Sequence, residues 1–160
     1  MMALRKTSMA CSLILSLLGI PTAAFAGDAP TALAEVQAAD VDWVKAYNAG
    51  DLEAVVGAYE EHATLYPPGS PPVHGAAAIR TYFAKENADF VKGGLAFVLG
   101  PMPTGGVSGN LGWASGTYEV KDKTGHVVDK GWYFSISKKV GSKWLYIRDA
   151  FNSDGPPPKK

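Results

Sequence analysis

Hydrophobic positions recur along this chain in two periods, first helical and then alternating. From Pro30 to Asn48, Leu33, Val36, Trp43, Val44 and Tyr47 fall on one stripe at about 100° per residue, as in a helix with one buried face. Asp40 lies inside that stripe, whereas Asp42 falls on the opposite, solvent side. Gly50 supplies a helix stop and Asp51 an N-cap for the next helix. Leu52, Val55, Val56 and Tyr59 then follow the i, i+3, i+4, i+7 spacing of a second, short helix. A third helix is expected from Gly75 to about Asn87, with Ile79, Tyr82 and Phe83 as its apolar edge.

The rest of the pattern is that of strands and turns. His62 to Tyr66 reads as a short strand with Ala63 and Leu65 on one face, and the proline-rich run Pro67 to Pro72 as a loop. Leu95 to Leu99 is a strand, followed by a Gly- and Pro-rich loop from Gly100 to Gly106. Leu111 to Lys121, Val127 to Lys138 and Lys143 to Ser153 are three long strands. The turns between them, Asp122 to Gly125 and Lys139 to Ser142, are short enough to require antiparallel neighbours. Helices and strands are segregated along the chain, which predicts an α+β fold: a cone-shaped, curved antiparallel sheet wrapped around about three helices, the N-terminal one long. Gly112, Gly116 and Gly131 fit strong curvature or close backbone approach. Such a cone leaves a space open at one end, where a small ligand can sit.

The last strand carries the most suggestive chemistry. Strict alternation puts Leu145, Ile147, Asp149, Phe151 and Ser153 on one face, and Trp144, Tyr146, Arg148, Ala150 and Asn152 on the other. The first face is largely apolar yet holds Asp149 in its middle. A buried carboxylate needs a partner, a wet cavity or a proton. Asp40 poses the same problem on the long helix, and in a cone the two can approach each other. They can share a proton, be held by structural donors such as Trp or Tyr, or supply a general base for an acidic C–H bond.

The N-terminus changes the domain count. Arg5 and Lys6, an apolar run from Ser12 to Ile20 and the small residues of Ala24-Phe25-Ala26 predict a secretory signal peptide cut near Ala26. Cys11 precedes most of the apolar run, which argues against a lipid anchor. The expected organisation is a signal peptide over 1–26, one domain over 27–154 and a disordered tail over 155–160. The product is exported, to the periplasm or beyond. Without Arg5 and Lys6, the 15 basic and 15 acidic side chains become a net charge of −2, which argues against nucleic acid as a partner. The mature chain has no Cys and no apolar run long enough for a membrane span.

Other chemistries find little support. His62, His74 and His126 are isolated, so no metal site is expected, and no dinucleotide fingerprint or nucleophile elbow occurs. Thr104-Gly105-Gly106 lacks the Lys-Ser or Lys-Thr of a phosphate loop and reads as a connection. No cofactor is implied.

Several stretches together resemble the nuclear-transport-factor-2-like superfamily, in the branch of ketosteroid isomerases and SnoaL-like polyketide cyclases. They are DVDWVKAYNAGDL from Asp40 to Leu52, His74 to Ile79, Asn110 to Tyr118, Gly131-Trp132-Tyr133, and Lys143 to Asp149 with Asn152-Ser153. The resemblance covers nearly all of the mature chain, most closely that of exported bacterial ketosteroid-isomerase-like proteins. It implies the cone fold and a homodimer packed through the sheet. It does not transfer an activity, because isomerases, dehydratases, cyclases and binding or assembly modules share the fold. Tyr59, Tyr66 and Tyr118 are equal candidates for an oxyanion donor of the kind ketosteroid isomerases use.

The resulting expectation is an exported pocket protein for a small apolar or aromatic ligand. The alternatives are a cofactor-independent acid–base isomerase or dehydratase, and a dimeric assembly module without catalysis. The candidate catalytic residues are Asp149 and Asp40. The candidate pocket residues are Trp43, Tyr47, Tyr59, Tyr66, Trp113 and Tyr118.

Overall fold

The computed structural model describes residues 29–101 and 104–155. The expected signal peptide and all but the first residue of the expected tail lie outside those residues. Helix α1 runs from Ala29 to Ala49 and buries Val36, Asp40 and Tyr47, with Trp43 and Val44 half-buried beside them, so the apolar stripe faces the sheet. Asp42 is solvent-exposed and pairs with Lys45 at 3.0 Å. The helix ends at Gly50, whose φ of 72° is a left-handed conformation that costs an L side chain about 1 kcal/mol. Asp51 then accepts the Ala54 N–H at 3.0 Å and starts α2, Leu52–Gly57.

Strand β1, Tyr59–Tyr66, follows at once, so Tyr59 opens a strand and does not close the second helix. A two-residue strand β2, Val73–His74, pairs with β1 after the proline-rich loop. Helix α3, Ala76–Gly93, extends two turns past Asn87, because Phe90 packs on the core. Strand β3 is Ala96–Leu99. Strand β4, Thr104–Ser108, occupies part of the stretch expected to be a loop: its backbone pairs along β5, and that pairing does not depend on side-chain pattern. The three long strands are β5, Leu111–Lys121; β6, Val127–Val140; and β7, Lys143–Ser153.

The sheet has the order β2-β1-β7-β6-β5-β3, with β4 also on β5. Every pair is antiparallel except β1 with β7, which runs parallel. The three helices cover one face of this curved seven-stranded sheet, giving the α+β cone.

One irregularity decides what the last strand presents to the interior. Ile136 pairs with Arg148, and the next residue, Ser137, pairs with Tyr146, so Ile147 is an extra residue in β7. The alternation reverses there. Trp144 and Tyr146 are buried on the same side of the sheet that Asp149, Phe151 and Ser153 face further along. The placement of Leu145 and Ile147 on the Asp149 face is therefore corrected; Arg148 is exposed on the other side.

Two apolar clusters form under the helices. One joins Tyr47 of α1 to Val55, Ile79 and Phe83 of the other helices and to Tyr59, Leu65 and Tyr146 of the sheet; the other packs Val36 against Ala114 and Trp144. Each fully buried Val, Leu, Ile or Phe contributes about 1.5–3 kcal/mol by transfer from water. Gly112 lets α1 come this close, since a Cβ there would lie 2.6 Å from Val36. The opposite sheet face exposes Leu111, Trp113, Trp132, Phe134 and Val140, with the Trp113 and Phe134 rings stacked at 6.3 Å.

Candidate functional site

Between α1, α3 and the inner face of the sheet lies a cavity of about 640 Å³. Its wall contains ten aromatic rings, among them Trp43 and Tyr47 of α1, Tyr82 and Phe83 of α3, and Tyr118 of β5. On its inner face β5 first presents Gly112 and Ala114, against which α1 packs through Val36, and reaches the cavity wall only at Tyr118 and Val120. Gly116 makes space for Tyr133 on the neighbouring strand, because a Cβ at 116 would stand 2.9 Å from that ring.

Asp40 and Asp149 both line the cavity. Asp40 is only 5% exposed. Its Oδ1 accepts the Tyr146 hydroxyl at 2.7 Å and the Ser135 hydroxyl at 3.4 Å. Burial pushes its carboxyl up to about 6, against the hydroxyls of Tyr146, Ser135 and Tyr133, which act to lower it. Tyr133 approaches near enough to influence this carboxylate, yet no hydrogen bond closes between them: Asp40 Oδ2 and the Tyr133 hydroxyl are both buried without a partner. The indole N–H of Trp43, also on the cavity wall, is unpaired too. Buried polar atoms left in this state are uncommon in folded proteins and each costs about 1–3 kcal/mol.

Asp149 accepts the Tyr59 hydroxyl on Oδ2. Burial raises its carboxyl to about 7; the Tyr59 hydrogen bond and the Ala150 backbone amide oppose that rise, and the charge of Asp40 adds to it. Mutual repulsion of this kind favours the state in which the pair keeps one proton near neutral pH. The rings of these two hydrogen-bond donors, Tyr59 for Asp149 and Tyr146 for Asp40, lie 5.2 Å apart in the core and link the two Asp–Tyr pairs.

The sequence candidates divide by location. Asp40, Asp149, Trp43, Tyr47 and Tyr118 are on the cavity wall. Tyr118 directs its hydroxyl to the Asn152 carbonyl at 2.7 Å, so that donor is already engaged. Tyr59 is not on the wall: it lies behind it, in the core, and acts through Asp149. Tyr66 and Trp113 are corrections. Tyr66 is 42% exposed at the end of β1, and Trp113 is 41% exposed because odd-numbered β5 residues point outward. Tyr133 and Tyr146, which touch Asp40, were missing from the expected set. For Tyr146 strict alternation predicts the wrong face; the Tyr133 face was readable from the alternation of β6. Among the described residues no group of His, Cys, Asp and Glu is placed to hold a metal ion.

A sequence profile of the SnoaL-like domain matches residues 41–137, more than half of the chain. The chain belongs to the SnoaL-like family. No curated protein matches it. Solved structures share the fold. An NTF2-like protein of unknown function from Pseudomonas putida KT2440 superposes with a TM-score of 0.71 at 14% identity, covering 82% of this chain and 92% of that one. An NTF2-like protein with a cystatin-like fold from Novosphingobium aromaticivorans gives 0.68 at 20% identity, covering 78% and 83%. A ketosteroid isomerase-like protein from Erwinia carotovora atroseptica gives 0.59 at 20% identity, covering 78% and 97%. At these identities the likeness is one of fold, so the chemistry of this SnoaL-like chain has to be argued from its own cavity.

Proposed function

We propose that this protein is exported and binds a small, largely apolar ligand in the cavity between α1, α3 and the sheet. The observation that carries this reading is a cavity of about 640 Å³ whose aromatic wall holds the buried carboxylate of Asp40, the half-buried one of Asp149 and the unpaired polar atoms of Asp40, Trp43 and Tyr133. Small-ligand sites commonly span about 300–1,000 Å³, with apolar walls and a few convergent polar groups. Export rests on the pattern of residues 1–26. We further propose a homodimer through the outer sheet face, where Leu111, Trp113, Trp132 and Phe134 are all more than a third exposed. Native mass spectrometry of protein purified from its own host tests both points. A co-purifying small molecule on a dimer is expected; an empty monomer would overturn both. Trp113→Glu is expected to shift the sedimentation coefficient to that of a monomer, and an unchanged coefficient would place the interface elsewhere.

A second reading is favoured by the Asp149 carboxyl, raised by burial to about 7 on the cavity wall. A group titrating near neutrality is suited to take up and return a proton, which is what isomerisation or dehydration without a cofactor requires. Tyr59 and Asp40 would position it and set its charge. Isomerisation of 3-cyclohexenone to the conjugated enone, followed by ultraviolet absorbance, is a direct probe of that chemistry. Asp149→Asn should lower the rate by about a hundredfold or more while the protein still melts cooperatively. A rate in the wild type no greater than in buffer would refute proton transfer to such ketones and leave the binding reading in place.

A further inference from the structure

The charges around the cavity have one sign. Asp40 and Asp149 stand in its wall, Glu86 and Asp89 join from α3, and Asp129 joins from β6. Among the described residues no Lys, Arg or His lines it. Glu86 and Asp89 are exposed, so the negative potential extends from solvent into the cavity. Carboxylates alone would not define a ligand, since acidic clusters are common on solvated surfaces. Two further observations do. Asp40 is 95% buried, lies on the cavity wall and carries an oxygen with no hydrogen-bond partner, a state that a bound donor would relieve. The rest of the wall is dominated by aromatic rings, whose faces attract cations and offer nothing to an anion.

We propose that the ligand is an amine: an apolar or aromatic body bearing one protonated amino group, which seats at the Asp40 and Asp149 carboxylates, while carboxylates and phosphates are excluded. This rests on the small-ligand reading above and adds the charge of the ligand to it. Tyr133, whose buried hydroxyl is also unpaired, can accept from the same ammonium. A carboxylate ligand would meet the single charge of the Asp40–Asp149 pair and those of Glu86, Asp89 and Asp129, with no compensating cation among the described wall residues.

Three probes with one naphthyl body separate the ideas: 2-(1-naphthyl)ethylamine, 2-(1-naphthyl)ethanol and 1-naphthylacetate, titrated by calorimetry at low ionic strength and neutral pH. The amine is expected to bind at least tenfold more tightly than the alcohol, and the acetate at least tenfold more weakly. Asp40→Asn combined with Asp149→Asn should bring the amine to within a fewfold of the alcohol, because either carboxylate alone still carries the single charge of the proton-sharing pair. Should that variant fold poorly, Glu86→Gln with Asp89→Asn is the safer test, because both side chains are exposed on α3. This double variant should slow amine association two- to tenfold and flatten its salt dependence. An alcohol that binds as tightly as the amine refutes the amine proposal and leaves an apolar pocket standing. Failure of all three probes to bind at millimolar concentration overturns the pocket reading as well.

Discussion

Replacing Asp40 by Asn measures what it costs to hold a carboxylate in the cavity wall. Burial moves this group from 3.8 to about 6. The folded protein therefore holds the proton more tightly than the unfolded chain does. The stability this contributes is fully present below about pH 4 and is lost as the pH rises through about 6. About two units, at about 1.4 kcal/mol each, make a loss of about 3 kcal/mol between acid and neutral pH. Removing the Asp40 charge also relieves Asp149, whose pKa it raises, so the variant loses less stability there as well and the difference grows. The amide oxygen can still accept the Tyr146 hydroxyl, and packing changes at the site do not depend on pH to first order. The assay is urea unfolding followed by tryptophan fluorescence, for both proteins, from about pH 4 to about pH 8.5. Wild-type stability minus variant stability should fall by about 3 kcal/mol across that range. A difference constant to within about 1 kcal/mol would refute the assignment of Asp40 as a buried group ionising near pH 6.

Three further substitutions probe the supports of the site, the last of them as a control. Tyr59→Phe removes a hydroxyl that lowers the Asp149 pKa, so the carbon-13 shift of the Asp149 carboxyl should titrate higher than in the wild type; a lower midpoint would contradict the role given to Tyr59. Gly116→Ala places a Cβ 2.9 Å from the Tyr133 ring and should cost about 1–3 kcal/mol in denaturant unfolding. Gly57→Ala, where a Cβ meets nothing within 4 Å, should instead stabilise by about 0.4–1 kcal/mol, and equal effects at the two positions would sink the close-approach argument.

Much of the fold was legible because long periodic segments report one buried face. The stripe Leu33, Val36, Asp40, Trp43, Val44 and Tyr47 marked the side of α1 that faces the sheet, and the two turns fixed β5, β6 and β7 as antiparallel neighbours. The same reasoning placed Asp40 and Asp149 on one cavity, since each interrupts an apolar face. What was not legible depends on pairing between distant strands. The parallel partnership of β1 with β7 leaves no mark in either strand's pattern, and β4 is formed from Thr104-Gly105-Gly106-Val107-Ser108, a stretch that looks like a loop until β5 supplies its partners. Tyr146 was assigned to the wrong face for a similar reason: alternation assumes one residue per step, and the step at Ile147 takes two. Gly116 could be flagged as a close approach, but only the cross-strand register shows that Tyr133 is what approaches.

The extra residue at Ile147 gives β7 two reading frames along a single strand. Before it, even-numbered residues build the core under α1; after it, odd-numbered residues furnish the cavity wall. The two jobs are thus uncoupled in phase, although the strand is continuous. Deleting that one residue would join Tyr146 directly to Arg148, restore strict alternation and leave Asp149, Phe151 and Ser153 in the wall, opposite the same β6 partners. The lining of the cavity is therefore indifferent to the bulge itself and is fixed by the regular pairing beyond it, Asp149 with Ser135 and Phe151 with Tyr133.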